Sequence, residues 1–389
     1  MGSTSGNSPF RRSKKWEAVQ AVGGAVSPCA AVCRNGIDGK IKCVSTHAST
    51  PLAAPIGVIE SFGRGFETVL SQLSLIALPL LLDLFLWLGP HLTVAPLLGE
   101  VSVMLEAQLR DADVPGEMYD AMHLALQQAG ESLNVFGFLS TAPLGVPSMM
   151  VANASAVTPL GAVLSVPVSS GVTLFGLTVG LSVMGLLLGA AFFGLVARRV
   201  LPEEQRGSDE QMLGHLWGHW LRLLGFAATV LLAMLLFGFV MAMLSALLSM
   251  LHALLGGVAT SLGIALWIWA LFFVTFTVHG VVMHNRELLP ALRNSLRMVR
   301  WNMPAVTVLF ALIIVLSWGL GFLWSLPPGD SWLLLAGITA HAFVATGVVA
   351  ATFHFYQDRL RWCDDMQAAL AEQKRRAQTT VRKETPKGN

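Results

Sequence analysis

Beyond residue 56 the chain alternates long apolar runs with polar stretches. The runs cover residues 69–88, 172–196, 224–251, 259–283, 304–326 and 332–356. Each is close to the roughly 20 helical residues that a ~30 Å hydrocarbon core requires. Apolar residues are continuous within a run rather than alternating, so the runs predict helices and not barrel strands. Residues 223–283 form one uncharged stretch, far too long for a single crossing. Its break is expected at Gly256–Gly257, just after His252. Pro327-Pro328-Gly329-Asp330 separates the last two runs. The pattern predicts an all-α, polytopic transmembrane bundle of six spans.

Composition agrees with lipid-facing surfaces. Hydrophobic residues make up 54% of the chain and charged residues 12%, against about 25% charged in soluble domains. Charge placement then orients the spans. The segment at 90–171 is acidic and holds one basic residue, Arg110, whereas the other loops and the tail carry arginines and lysines. In a six-span arrangement, all of the 25 basic residues except Arg110 fall on one side. Cytoplasmic loops hold the Lys/Arg excess, so both ends are expected inside. This suits a bacterial plasma (inner) membrane and implies contact with anionic headgroups.

Residues 1–55 are polar and rich in Ser, Gly, Lys and Arg. They are expected to be a disordered extension, or to lie upstream of a native start near residue 50. Cys29, Cys33, Cys43 and Cys363 all lie outside the spans, which argues against a disulfide-stapled fold. Residues 362–389 read as a basic cytoplasmic tail. In the outer segment, 94–109 and 117–133 have helical apolar spacing. Residues 137–170 are rich in Pro, Ser, Ala and Val and nearly uncharged, so they are expected to lie on the membrane or dip into the bundle mouth. Three cytoplasmic stretches, 57–72, 212–224 and 286–301, precede outward-going spans. Each is expected to lie in the membrane plane, giving three hairpins of one plan. In the last of them Arg286, Arg293, Arg297 and Arg300 share one arc of the helix and are expected among lipid headgroups.

Candidate chemistry is sparse. Asp83 is the one acid inside a span, and a buried acid faces a partner or a water-filled cavity. His341, at a comparable depth in the last span, is its candidate partner. Gly176, Gly180, Gly185, Gly189 and Gly194 recur at helical spacing in the second span, as in a seam where a neighbouring helix approaches closely. His279, His284 and His354 are too irregularly spaced to predict a haem site. His215 and His219 lie one turn apart without a third ligand, as does the set Cys29, Cys33, Cys43 and His47 without the usual zinc spacing. No phosphate-binding, zinc-protease, nucleophile-elbow or dinucleotide motif occurs. No metal, cofactor or nucleic acid is expected.

Two segments, Ile56-Gly-Val-Ile-Glu-Ser-Phe-Gly-Arg-Gly-Phe-Glu leading into Leu82-Asp-Leu-Phe-Leu-Trp-Leu-Gly-Pro90, and Phe355-Tyr-Gln-Asp-Arg-Leu-Arg361, resemble an uncharacterised group of six-helix bacterial membrane proteins. The hairpin plan is distantly similar to the non-catalytic membrane domain attached to some glycerophosphodiester phosphodiesterases. That resemblance implies a six-span domain over 56–361 and no catalytic residue. The resulting expectation is a non-enzymatic protein that binds or transports a small solute or lipid, with the outer segment as a lid. The alternative is a structural or accessory subunit of a homo- or hetero-oligomeric membrane complex.

Overall fold

The computed structural model describes residues 32–35, 41–44, 54–110, 116–153, 155, 157–206 and 209–384. The chain divides into two units, Met1–Ala53 and Ala54–Asn389. In the first, β1 (Val32–Asn35) pairs antiparallel with β2 (Ile41–Val44), and Cys33 lies opposite Cys43. Cys29 and His47 of the sequence-derived zinc set lie outside the described residues, as does most of the stretch expected to be disordered.

The second unit is the membrane domain. It begins with α1 (Val58–Ser71), a 3-10 turn at Leu73–Ile76 and α2 (Ala77–Leu88). The outer segment holds β3 (His91–Thr93), α3 (Ala95–Arg110), α4 (Gly116–Ser132), a 3-10 turn at Val135–Leu139, and the short strands β4 (Val157–Thr158), β5 (Gly161–Ala162) and β6 (Ser165–Pro167). β3 and β6 pair in parallel, so the two ends of this segment are tied together. Then come α5 (Gly171–Val200), α6 (Asp209–Leu251), α7 (Ala253–Val274), α8 (Thr277–His284), α9 (Leu288–Trp301), α10 (Met303–Trp324) and α11 (Leu333–Glu384).

Five helical stretches are long and apolar enough to cross a membrane: Gly171–Val200, Gly214–Leu251, Ala253–His284, Met303–Trp324 and Leu333–Arg375. A sixth crossing is reached by counting α1 and α2 together, although the chain bends by 97° between them. The domain is therefore all-α and multi-pass.

The first crossing differs from the straight helix expected over 69–88. The helix stops at Ser71, and Gln72 takes φ −149° and ψ 85°. α1 runs antiparallel along α11: Ile56 meets Asp358 and Arg359 at one end, and Phe66 stacks on Phe343 at 5.9 Å at the other. Gly65 allows this approach, because a Cβ there would sit 2.5 Å from the Gly347 carbonyl oxygen. Ser61, Phe62, Gly65 and Val69 form the buried stripe of α1, while Glu60 and Arg64 pair outside it at 2.7 Å.

A polar clamp closes this helix pair. The Ile56 N–H donates to Asp358 Oδ2 (2.8 Å), and its carbonyl accepts from Arg359 Nη2 (2.9 Å). Arg359 Nη1 also donates to Asn302 Oδ1 (3.2 Å), and the guanidinium lies over the Phe355 ring. Residues 56–67 and 355–361 thus touch one another.

Two further expectations are corrected. Residues 212–224 do not form a separate in-plane helix, because α6 is continuous from Asp209 to Leu251. No proline or capping residue interrupts that stretch, and Arg222 is turned onto Asn285, the left-handed residue that ends α8. The α6–α7 break falls at His252, whose Nδ1 accepts from the Leu254 N–H (3.2 Å) and caps α7. Gly256 lies within α7, where a Cβ would collide with Ser249 of α6. Its role is close helix approach, not chain reversal.

A cluster of buried aromatic side chains joins α5, α8, α10 and α11. Phe193 and Phe353 lie 6.0 Å apart, and Phe276 contacts Phe310, Phe355 and Tyr356. α9 covers one end of this core with Ala291, Ser295, Met298 and Val299. Gly65→Ala is expected to lower stability by roughly 1–3 kcal/mol through overpacking, whereas Gly63→Ala, which meets open space, is neutral or mildly stabilising. Denaturant unfolding in mild detergent compares the two; equal effects would refute the close α1–α11 approach.

Candidate functional site: a buried carboxylate under the outer loop

α2 carries Asp83 into the protein interior. Its sequence is apolar apart from this residue, and Pro79 falls in the first turn, where a missing N–H costs little. Asp83 is fully buried. An ionised carboxylate only accepts hydrogen bonds, and its neighbours here are donors. The Ser148 hydroxyl donates to Oδ1. The Met150 N–H donates to Oδ1 at 3.1 Å and the Met149 N–H to Oδ2 at 3.2 Å. His341 of α11 brings Nδ1 to 3.4 Å from Oδ2, without the alignment of a good hydrogen bond. The structure therefore places the two sequence-derived residues side by side, and adds a third party that the sequence did not signal.

That third party is the outer loop at 140–150. It enters the bundle between α2 and α5. Val146 and Met150 are almost wholly buried there, and Ser140 Oγ closes the loop on the Val146 carbonyl at 2.6 Å. Asn153 Nδ2 donates to the Met149 carbonyl (3.0 Å) and holds the following turn. On the other side, Phe136 meets Phe85 of α2 edge-on at 5.3 Å.

α5 makes room for this loop with two glycines. A Cβ at Gly185 would lie 2.5 Å from the Leu139 carbonyl oxygen, and one at Gly189 would lie 2.5 Å from that of Leu144. This corrects the helix-packing seam. Gly176, Gly180 and Gly194 face open space, and the two glycines that are needed admit loop backbone rather than a neighbouring helix. Small residues at four-residue spacing announce a close approach but not what approaches.

The remaining candidates disperse. His279 Nε2 pairs with Thr352 Oγ1 (2.9 Å), and His354 Nε2 with Thr68 Oγ1 (2.9 Å), so these histidines serve different helix contacts. The His215 and His219 rings stack 6.1 Å apart. Among the described residues no group of three His, Cys, Asp or Glu could hold a metal ion. Of the four arginines expected at headgroups, Arg293 and Arg300 are exposed and Arg286 is half-buried. Arg297 is instead bound to α11, donating to Asp364 and Gln367 at 2.6 Å each.

No family model, curated protein or solved structure matches this chain.

Gly189→Ala is expected to push the loop from its seat, cost roughly 1–3 kcal/mol and speed limited proteolysis within 140–150 several-fold. Gly180→Ala should leave cleavage unchanged. The reverse ranking would restore the helix-seam interpretation.

Proposed function

We propose that this is a non-enzymatic protein of the bacterial plasma membrane, with both ends cytoplasmic, that binds or moves a small solute or lipid. The outer segment is its lid, and Asp83 is the latch. The observation that carries the reading is the way the loop is held. Its seat at 140–150 contains no helix or strand, and three donors on consecutive residues converge on one buried carboxylate. A segment fixed by a few charge-assisted bonds has a second, released arrangement within reach. His341, partly exposed and adjoining the carboxylate, links the last span to the same latch. Arg293 and Arg300, on the exposed side of α9, are suited to anionic headgroups.

One observation favours the second reading, a structural subunit in a larger complex. The apolar window of α6 has no buried residue, and Leu235, Phe239, Met243 and Leu247 all face outward. Lipid covers such a face as readily as a partner helix does, whereas the latch has no role in a passive scaffold.

Spin labels at Ala142 and Leu333, in a background lacking the native cysteines, measure the lid directly. The unaltered latch should give one narrow distance distribution. Asp83→Asn should add a longer, broader component, and Asp83→Leu should lose the latch, leaving its donors unpaired at roughly 1–3 kcal/mol each. Should Asp83→Leu not fold, Ser148→Ala removes one bond, worth roughly 1.5–3 kcal/mol as a bond to a charged group, and should broaden the distribution modestly. Folded variants with unaltered distances would sink the lid reading.

A further inference from the structure

We propose that the groove between the α1–α2 break and the outer half of α11 is a site for one acyl chain of a bilayer phospholipid. This deepens the reading of a lidded binding protein by naming its ligand class, and it rests on that reading for what the site is used for.

The groove encloses about 820 Å³. Leu73 and Ile76 form one wall, Trp324 of α10 another, and Trp332, Ala336 and Phe343 the floor along α11. The break at Gln72 creates it. The chain turns by 97° there, so Leu73 and Ile76 stand at the corner, while α2 beyond them meets α11 again at Asp83 and His341. Small side chains at Ala336 and Ala340 then leave the trench unfilled.

Its chemistry excludes a polar ligand. Thr339 is the one lining residue with a polar group beyond the two tryptophans, and its hydroxyl already donates to the Leu335 carbonyl at 2.8 Å. A polar solute would shed its water and find at most the indole N–H groups of the two tryptophans in return; a hydrocarbon chain has no hydrogen bonds to lose. The dimensions suit one chain. Residues 332 to 344 line the floor, about 18 Å at ~1.5 Å per residue, the length scale of a long fatty acyl chain.

Continuity with the membrane settles the source. Val315, Trp318 and Phe322 are exposed on α10, a span whose other faces meet lipid, so a chain can enter sideways while its headgroup stays in the bilayer surface. Trp324 and Trp332 stand at the outer end, where tryptophan sits at headgroup level. The groove also touches the latch. The Trp332 ring packs edge-on against Trp87 at 5.9 Å, one turn along α2 from Asp83. Trp87 in turn donates to the Gly329 carbonyl at 2.8 Å.

The experiment uses the full chain in phosphatidylglycerol–phosphatidylcholine vesicles containing a trace of phospholipid with a diazirine in its sn-2 chain. The protein is extracted in mild detergent, gel-filtered to strip loosely held lipid, irradiated and mapped by peptide mass spectrometry. The expected result is cross-linking to 73–76 and 324–344 at least fivefold above that to α6 and α7. Ala336→Trp should abolish the excess, and Thr339→Trp provides a second filling variant should the first not fold. Even labelling of all lipid-facing peptides, or an excess that survives both fillings, would overturn the site. Displacement of the label by an equimolar free fatty acid would overturn the phospholipid assignment. The spin-label distances at 142 and 333 are scored separately. A rigid lid with a specific cross-link refutes the lid alone, and a mobile lid with even labelling refutes the groove alone.

Discussion

A carboxylate buried in a membrane protein cannot be left without donors, and this one constraint organises the outer half of the molecule. Asp83 has no basic residue on its own helix to meet it. An unpaired charge at that position would cost several kcal/mol. The bundle answers with a loop brought in from outside, whose Ser148 hydroxyl and two successive backbone N–H groups meet the carboxylate. The rest of that region follows from admitting the loop. Its backbone needs space, which Gly185 and Gly189 provide. Its apolar side chains need burial, which Val146, Met149 and Met150 find beneath it. Its two flanks must return together, which the β3–β6 pairing accomplishes.

At the opposite end a second polar cluster does similar work with the charges reversed. Arg359 is largely buried, and its two Nη groups donate to carbonyl-type oxygens, one from the Ile56 backbone and one from Asn302. Asp358 takes the Ile56 N–H. The backbone of a single residue, Ile56, is thus gripped through both its N–H and its C=O by adjacent residues of α11. Backbone groups ahead of a helix have no intrahelical partner, and here they become the attachment of the first helix to the last. The two clusters differ in what they hold. The clamp seizes a segment that leads straight into a buried helix face, so its release would expose α1. The latch holds a loop between short turns, and its release would expose much less.

Much of this plan is legible in the residue pattern. Five of the six apolar runs correspond to continuous crossing helices, because a long uncharged run leaves the backbone no alternative in lipid. Depth alone singled out His341 as the neighbour of Asp83, and the two lie side by side. What the pattern could not carry is identity of partner. The spacing of Ser61, Phe62, Gly65 and Val69 declares an amphipathic helix, but amphipathicity is the same whether the apolar stripe meets lipid or another helix. The glycines of α5 announce close approach and are silent about loop or helix. Residues 137–150 lack charge and periodicity, so nothing in them points to Asp83 before the fold places them there. Arg297 follows the same logic: it shares an arc with three other arginines, and only the position of α11 assigns it to Asp364.

These features bear on one another through the bend at Gln72. The break sets Leu73 and Ile76 as one wall of the apolar groove, while α2 beyond it stays against α11 through Asp83 and His341. On another side α2 meets the loop at 140–150, where Asp83 finds its donors. The dry trench and the polar latch therefore adjoin the same short helix. Trp87 stands between the two, packed on Trp332 at the groove and anchored to the Gly329 carbonyl. An occupant that wedges Trp332 aside must displace Trp87, and with it the turn of α2 that presents Asp83. Groove and latch are thus joined by direct contacts, from Trp332 through Trp87 to the turn of α2 that carries Asp83.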